Sequence, residues 1–158
     1  MAIRNPADLK ELAASGCRLM ALDLGAKTIG LALSDTRLTI ASPLETIRRS
    51  RFRDDATRLR ELVARHGVGG LVVGLPVAMD GSEGPRCQSV RQFAANLLET
   101  LDIPIAFWDE RMSTAAVTRG MIAGDLSRKR RAEIVDRAAA AYILQGLLDF
   151  LGNLGCRD

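Results

Sequence analysis

A chain of 158 residues, 47% hydrophobic and 26% charged, has the size and composition of one globular domain with a substantial core. No apolar run approaches the length of a membrane span, and Met1 to Ser15 is charged and helix-like without the apolar centre of a secretory signal, so a cytoplasmic protein is expected. The net charge is only +3, but basic residues gather at Arg48-Arg49-Ser50-Arg51-Phe52-Arg53 and at Arg128-Lys129-Arg130-Arg131. Such clusters suit a phosphate backbone; either run alone reads better as a solvated loop, and it is the two together, flanking acidic candidates, that shift the reading.

In chain order, Pro6 to Ala14 reads as a short helical lead-in. Two apolar runs follow, Leu19 to Leu24 and Thr28 to Ser34, joined by a glycine turn, and the first carries one acid, Asp23, near its tip. A carboxylate at the end of a core strand is costly to bury without a partner. A third extended run, Thr39 to Ile47, contains Pro43 and so belongs at a sheet edge. Then the period changes: Ala56, Leu59, Leu62 and Val63 recur at helical spacing, and Gly67 stops the helix. The single histidine, His66, sits in its last turn, where a dipole partner is a better reading than a catalytic base.

Gly70 to Leu75 is continuously apolar, as in a strand covered on both faces, and Pro76 to Gly84 is a loop. A helix entered at Pro85 carries Val90, Phe93, Ala94, Leu97 and Leu101 on one stripe. Ile103 to Trp108 is another buried strand, ending in Asp109-Glu110-Arg111. Ser113 or Thr114 caps a helix towards Ala123, 124–131 forms a basic loop, and Ala132 to Leu151 is the last helix. The order predicts an α/β fold with a mixed five-stranded sheet, three antiparallel strands plus two parallel, flanked by helices. Residues 1–17 form an N-terminal extension, 18–151 the domain and 152–158 a tail.

Asp23 and Glu110 then lie at the carboxyl ends of strands, where open α/β sheets bind ligands. Asp136 joins them, since it shares a helical stripe with Ala140, Ile143 and Leu147. Three carboxylates without a histidine or thiolate describe a site for a hard cation, Mg2+ or Mn2+, and in phosphoryl chemistry for a pair of such ions. The scattered Cys17, Cys87 and Cys156 fit reduced thiols in a cytoplasm rather than disulfides or zinc. Asp23-Leu24-Gly25 with Gly30 also looks like the phosphate hairpin of actin-like ATPases, which need two such domains. Gly25-Ala26-Lys27-Thr28 is not a Walker loop. Lys27 is within reach of a phosphate or is simply exposed, Arg111 pairs with a site acid or holds a phosphate, and Gly74 to Gly81 is either a plain turn or a loop admitting a nucleic-acid backbone.

The chain resembles the YqgF family, also called RuvX, of Holliday-junction-resolvase-like proteins described as pre-ribosomal-RNA nucleases. The resemblance runs from Arg18 to Phe150. It rests on Leu22-Asp23-Leu24-Gly25, Ser42-Pro43-Leu44, the block from Gly74 to Pro85, Asp109-Glu110-Arg111-Met112-Ser113-Thr114, and Ile134-Val135-Asp136-Arg137 with the residues to Gln145. It implies a ribonuclease-H-like fold and divalent-metal phosphodiester cleavage, with Asp23, Glu110 and Asp136 as the catalytic and metal-holding acids. Glu133, three residues before Asp136, is not counted among the ligands. The expectation is a cytoplasmic nuclease, monomer or homodimer, acting on the 5′ end of pre-16S rRNA or on ribosomal precursor particles. Lys27, Arg111, Arg128, Lys129, Arg130 and Arg131 would contact nucleic acid. The rivals are a resolvase of branched DNA using the same site and a non-catalytic nucleic-acid-binding assembly factor.

Overall fold

The computed structural model describes residues 3–112 and 128–155, with the backbone alone at 13, 128–136 and 155. The strands are β1 (Ile3–Arg4), β2 (Arg18–Leu24), β3 (Thr28–Ser34), β4 (Ala41–Arg48), β5 (Val68–Leu75) and β6 (Ile105–Asp109). The helices are α1 (Phe52–His66), α2 (Pro85–Leu98) and α3 (Arg128–Gly155), and a 3-10 helix spans Pro6–Ala13. The sheet order is β1-β6-β5-β2-β3-β4. β2, β3 and β4 form an antiparallel meander, whereas β2, β5, β6 and β1 run parallel.

Side-chain alternation along the central strands splits the core in two. Met20, Leu22 and Leu24 of β2 join Leu59, Leu62, Phe93 and Leu97 on the face covered by α1 and α2. Leu19 and Ala21 join Ala140, Ile143, Leu144 and Leu147 on the face covered by α3. Burial on both faces explains why β2 and β5 read as unbroken apolar runs. Pro43 lies on the edge strand β4, beside a register shift opposite Leu31 and Ala32, where a missing N–H is tolerated. Gly67 closes α1 in the left-handed conformation at φ 64°, its N–H donating to the Val63 carbonyl. No helix among the described residues is long and apolar enough to cross a membrane.

Two expectations change. Among the described residues the sheet has six strands, not five: Ile3 and Arg4 pair in parallel with Ile105 and Ala106, so residues expected to form an extension add an edge strand. A two-residue strand has no periodicity to read. The last helix begins at Arg128 rather than Ala132, so the basic run expected in a loop occupies its first turn. Arginine and lysine are good helix formers, and a cluster of charge does not by itself break a helix. The helix expected after Ser113 or Thr114 lies outside the described residues.

Candidate active site

Asp23 is the penultimate residue of β2 and pairs in register with Gly30 of β3. It is only 3% exposed, one of few buried polar residues in a core of aliphatic side chains. Alternation with Leu19 and Ala21 puts it on the face beneath α3. Glu110 follows β6 directly, two residues beyond Trp108 and four beyond Ala106, both of which pack on that same face.

Gly74 shows where Glu110 lies. It lies on β5, the strand between β2 and β6, opposite Trp108 in register. A Cβ at this position would sit 3.0 Å from Glu110 Oε1, 3.3 Å from its Cγ and 2.6 Å from Ile143 Cδ1. Glu110 therefore lies back over β5, towards the strand that carries Asp23, in a space that exists because residue 74 has no side chain. The reading of Gly74 as a plain turn or a backbone-admitting loop missed this role. A glycine inside an otherwise aliphatic strand is the signal that would have found it, since it marks a close approach.

Asp136 falls in the N-terminal part of α3, four residues before Ala140 and seven before Ile143. That stripe of the helix is the one lying over Gly74, because Ile143 reaches it. The Asp136 side chain is outside the described set, as are those of Glu133 and Arg128 to Arg131. Among the described residues no three histidine, cysteine or acidic side chains group as a cation site.

Asp109 does not join Glu110. Its carboxylate is gripped by Arg111, whose Nη2 donates to Oδ2 at 2.7 Å and whose Nε donates to both oxygens at 3.1 and 3.0 Å. This charge-assisted pair, opposed by partial burial, holds the Asp109 carboxyl below its ordinary range. Arg111 Nη1 also donates to the Met79 carbonyl at 3.3 Å. Arg111 thus pairs with Asp109, the acid beside Glu110, and ties the 76–84 loop to the end of β6. That loop is ordered by its own contacts. Asp80 accepts from the Ser82 hydroxyl and amide, and Gly81 turns at φ 89° with its N–H on the Ala78 carbonyl. Lys27 is exposed at the tip of the β2–β3 turn and makes no ion pair among the described residues. Cys17 and Cys87 are free thiols.

The family model for RuvX, described as a Holliday junction resolvase, matches residues 17–150. A relative in Paramagnetospirillum magneticum, named "Putative pre-16S rRNA nuclease", is 64% identical over 149 residues, covering 94% of this chain and 96% of its own. One of the same name in Rhodospirillum centenum is 58% identical over 156 residues, covering 96% of this chain and 83% of its own. Among solved structures, Thermus thermophilus RuvC in complex with a Holliday junction substrate aligns at TM-score 0.55 and 15% identity, over 88% of this chain and 96% of that one. The yeast mitochondrial Holliday junction resolvase aligns at TM-score 0.53 and 11% identity, over 94% and 86%. At such identities the likeness is one of fold: the sheet and its helices are arranged as in these resolvases.

Proposed function

Given that the chain belongs to the RuvX family, we propose that it is a divalent-metal-dependent nuclease that hydrolyses phosphodiester bonds at the mouth formed by Asp23 and Glu110, with Asp136 as the third acid. The observation that carries this reading is the Gly74 cradle. A buried acid on β2 and an acid after β6 share one face, and the intervening strand is cleared so that the second can reach back. The donor chemistry fits a hard cation, since carboxylate oxygens without imidazole or thiolate favour Mg2+ or Mn2+. When bound, such an ion supplies Lewis-acid polarisation of a phosphodiester oxygen and neutralises developing charge.

The chain's own residues do the rest. Asp23 and Glu110 are fixed by the strands behind them, so little reorganisation is needed to present their oxygens. Asp23 is buried beside the aliphatic side chain of Ala21 in the α3-side core, where a charge is screened less than in water. The names of the relatives favour an RNA substrate, the precursor of 16S rRNA, over branched DNA.

The test is Asp23→Asn, which keeps size and hydrogen bonding but removes the charge. Purified wild type and variant are incubated with pre-16S rRNA and with a four-way DNA junction, in magnesium, manganese or chelator. The variant should lose on the order of 100-fold in cleavage or more, and chelator should abolish wild-type cleavage. Cleavage that survives either treatment removes the metal–carboxylate mechanism. Tight binding without any cutting by wild type makes the protein a binding factor, and cutting confined to the junction makes it a resolvase.

A further inference from the structure

Around the end of β2 from Asp23, on the opposite face of the sheet, lies a cavity of about 300 Å³ that no role yet described uses. Its floor is apolar, made by Leu24 and by Val90 and Phe93 of α2. Its rim is cationic: Arg49 from the end of β4, Arg86 and Ser89 from the first turns of α2, and the Gly25–Ala26 backbone. No carboxylate lines it.

Arg49 is held in place. Its Nη1 donates to the Gly25 carbonyl at 2.7 Å, its guanidinium stands 5.5 Å from the Phe93 ring centroid, and its backbone N–H donates to the Lys27 carbonyl at 2.8 Å. The following residue, Ser50, is fixed by its amide and hydroxyl on the buried Asp55 carboxylate. One donor of Arg49 is used on Gly25, which leaves donors to spare in a fork of five. The side chains of Arg86 and Ser89 are exposed and make no hydrogen bond or ion pair with the described residues. Two permanent charges, one preorganised, converge over an aromatic floor with a hydroxyl beside them. That is chemistry for an anion presenting several oxygens, a phosphate above all.

We propose that this cavity binds a phosphate of the substrate strand, one or two nucleotides from the bond cut at Asp23, with Arg49, Arg86 and Ser89 as its ligands. The proposal rests on the nuclease reading for the identity of the strand. Gly25 follows Asp23 by two residues, so extended chain separates them by at most about 7 Å. Nucleic acid repeats its charge about every 3.4 Å of rise per strand. A strand lying on Asp23 and passing over the β2–β3 turn, where Lys27 is exposed, brings its next phosphates to this rim. The cavity then sets which phosphodiester stops over the acids, because phosphate contacts fix register without reading sequence.

The test measures binding to fluorescein-labelled single-stranded RNA and to a four-way DNA junction by anisotropy, in chelator, across a salt series. The RNA is prepared with a 5′-hydroxyl and with a 5′-phosphate. Arg86→Ala, which removes no internal contact, should weaken binding by about 5-fold, and Arg49→Ala/Arg86→Ala by about 10-fold to 100-fold. Each lost phosphate contact should flatten the slope of log K against log salt by about 0.7 on a single strand. Arg37→Ala/Arg65→Ala, with the same charge change at the far end of the sheet, should leave affinity within about 2-fold, and Arg49→Lys/Arg86→Lys should recover part of the slope. If the 5′-phosphate strengthens wild-type binding and the double variant loses only that increment, the occupant is a terminal phosphate; equal loss on both RNAs identifies an internal phosphodiester. Wild-type affinity and slope in the double variant, with cleavage by wild type intact, overturn the cavity proposal alone. Loss of binding in the variant of a wild type that never cuts leaves the cavity standing and removes the nuclease reading.

Discussion

At the scale of single residues, the site depends on an atom that is absent. Gly74→Ala would place a Cβ 2.6 Å from Ile143 Cδ1 and 3.0 Å from Glu110 Oε1. The isoleucine methyl is the flexible end of a side chain and can shift, so the stability loss should stay near 1–3 kcal/mol, as for other overpacked cores. Glu110, met at 3.0 to 3.3 Å, has to give by a few tenths of an ångström, and cleavage should fall by about 10-fold. Denaturant titration and initial rates on the same preparation separate the two effects, and full activity in a folded variant would show that Glu110 does not work from over β5. Asp23 was legible as a lone acid in an aliphatic run. Whether Asp109 joins Glu110 was not, because it turns on which face each residue occupies after β6 and on Arg111 gripping the first.

At the scale of elements, the β3–β4 turn is the clearest case of local chemistry holding a corner. The Asp35 carboxylate accepts from the Thr39 amide at 2.7 Å, the Thr39 hydroxyl at 2.6 Å and the Ile40 amide at 3.1 Å. Between them Leu38 takes φ 56° and is still buried. Desolvation pushes the Asp35 carboxyl up, but these donors outweigh it and hold it at about 2, against an ordinary 3.8. A depressed folded value means the stabilisation is complete above pH 3.8 and is lost as pH falls towards about 2. The carboxylate is partly solvated, so its share is about 1 kcal/mol rather than the full linkage value. Asp35→Asn should therefore lower the urea midpoint near neutrality and leave it less sensitive to acid over that window. An unchanged acid limb would assign the loss to other carboxylates. Most elements were readable from period and punctuation: α1 from its stripe and Gly67, β4 from Pro43, and α2 from Pro85. The start of α3 was not, since charge clustering at Arg128 to Arg131 was read as loop and outweighed helix propensity.

At the scale of the whole molecule, the N-terminal segment is part of the fold. Leu9 is 1% exposed within the α3-side core, and a Cβ on Gly70 would meet Leu12 Cδ1 at 2.8 Å and Leu19 Cδ2 at 3.0 Å. The paired glycines at the foot of β5 thus receive the 3-10 helix, while β1 extends the sheet beyond β6. Leu9→Ala should cost about 2–5 kcal/mol, read as a lower denaturation midpoint. A loss below about 0.5 kcal/mol, typical of surface substitutions, would mark residues 3–13 as an appendage. The mixed character of the sheet was deducible from two rules, adjacency of the meander and right-handed parallel crossovers. The sixth strand was not, because the Ile3–Ile105 and Arg4–Ala106 pairings are long-range and leave no local pattern.

The crossing of α3 over β2, β3 and β4 also has a consequence in time. Synthesis runs from the N-terminus, so Asp23 emerges with the first hairpin, long before Gly74, Glu110 and the helix that roofs them. A half-made chain carries one acid of the pair on an open sheet face. The candidate centre is complete only once α3 has docked over that face.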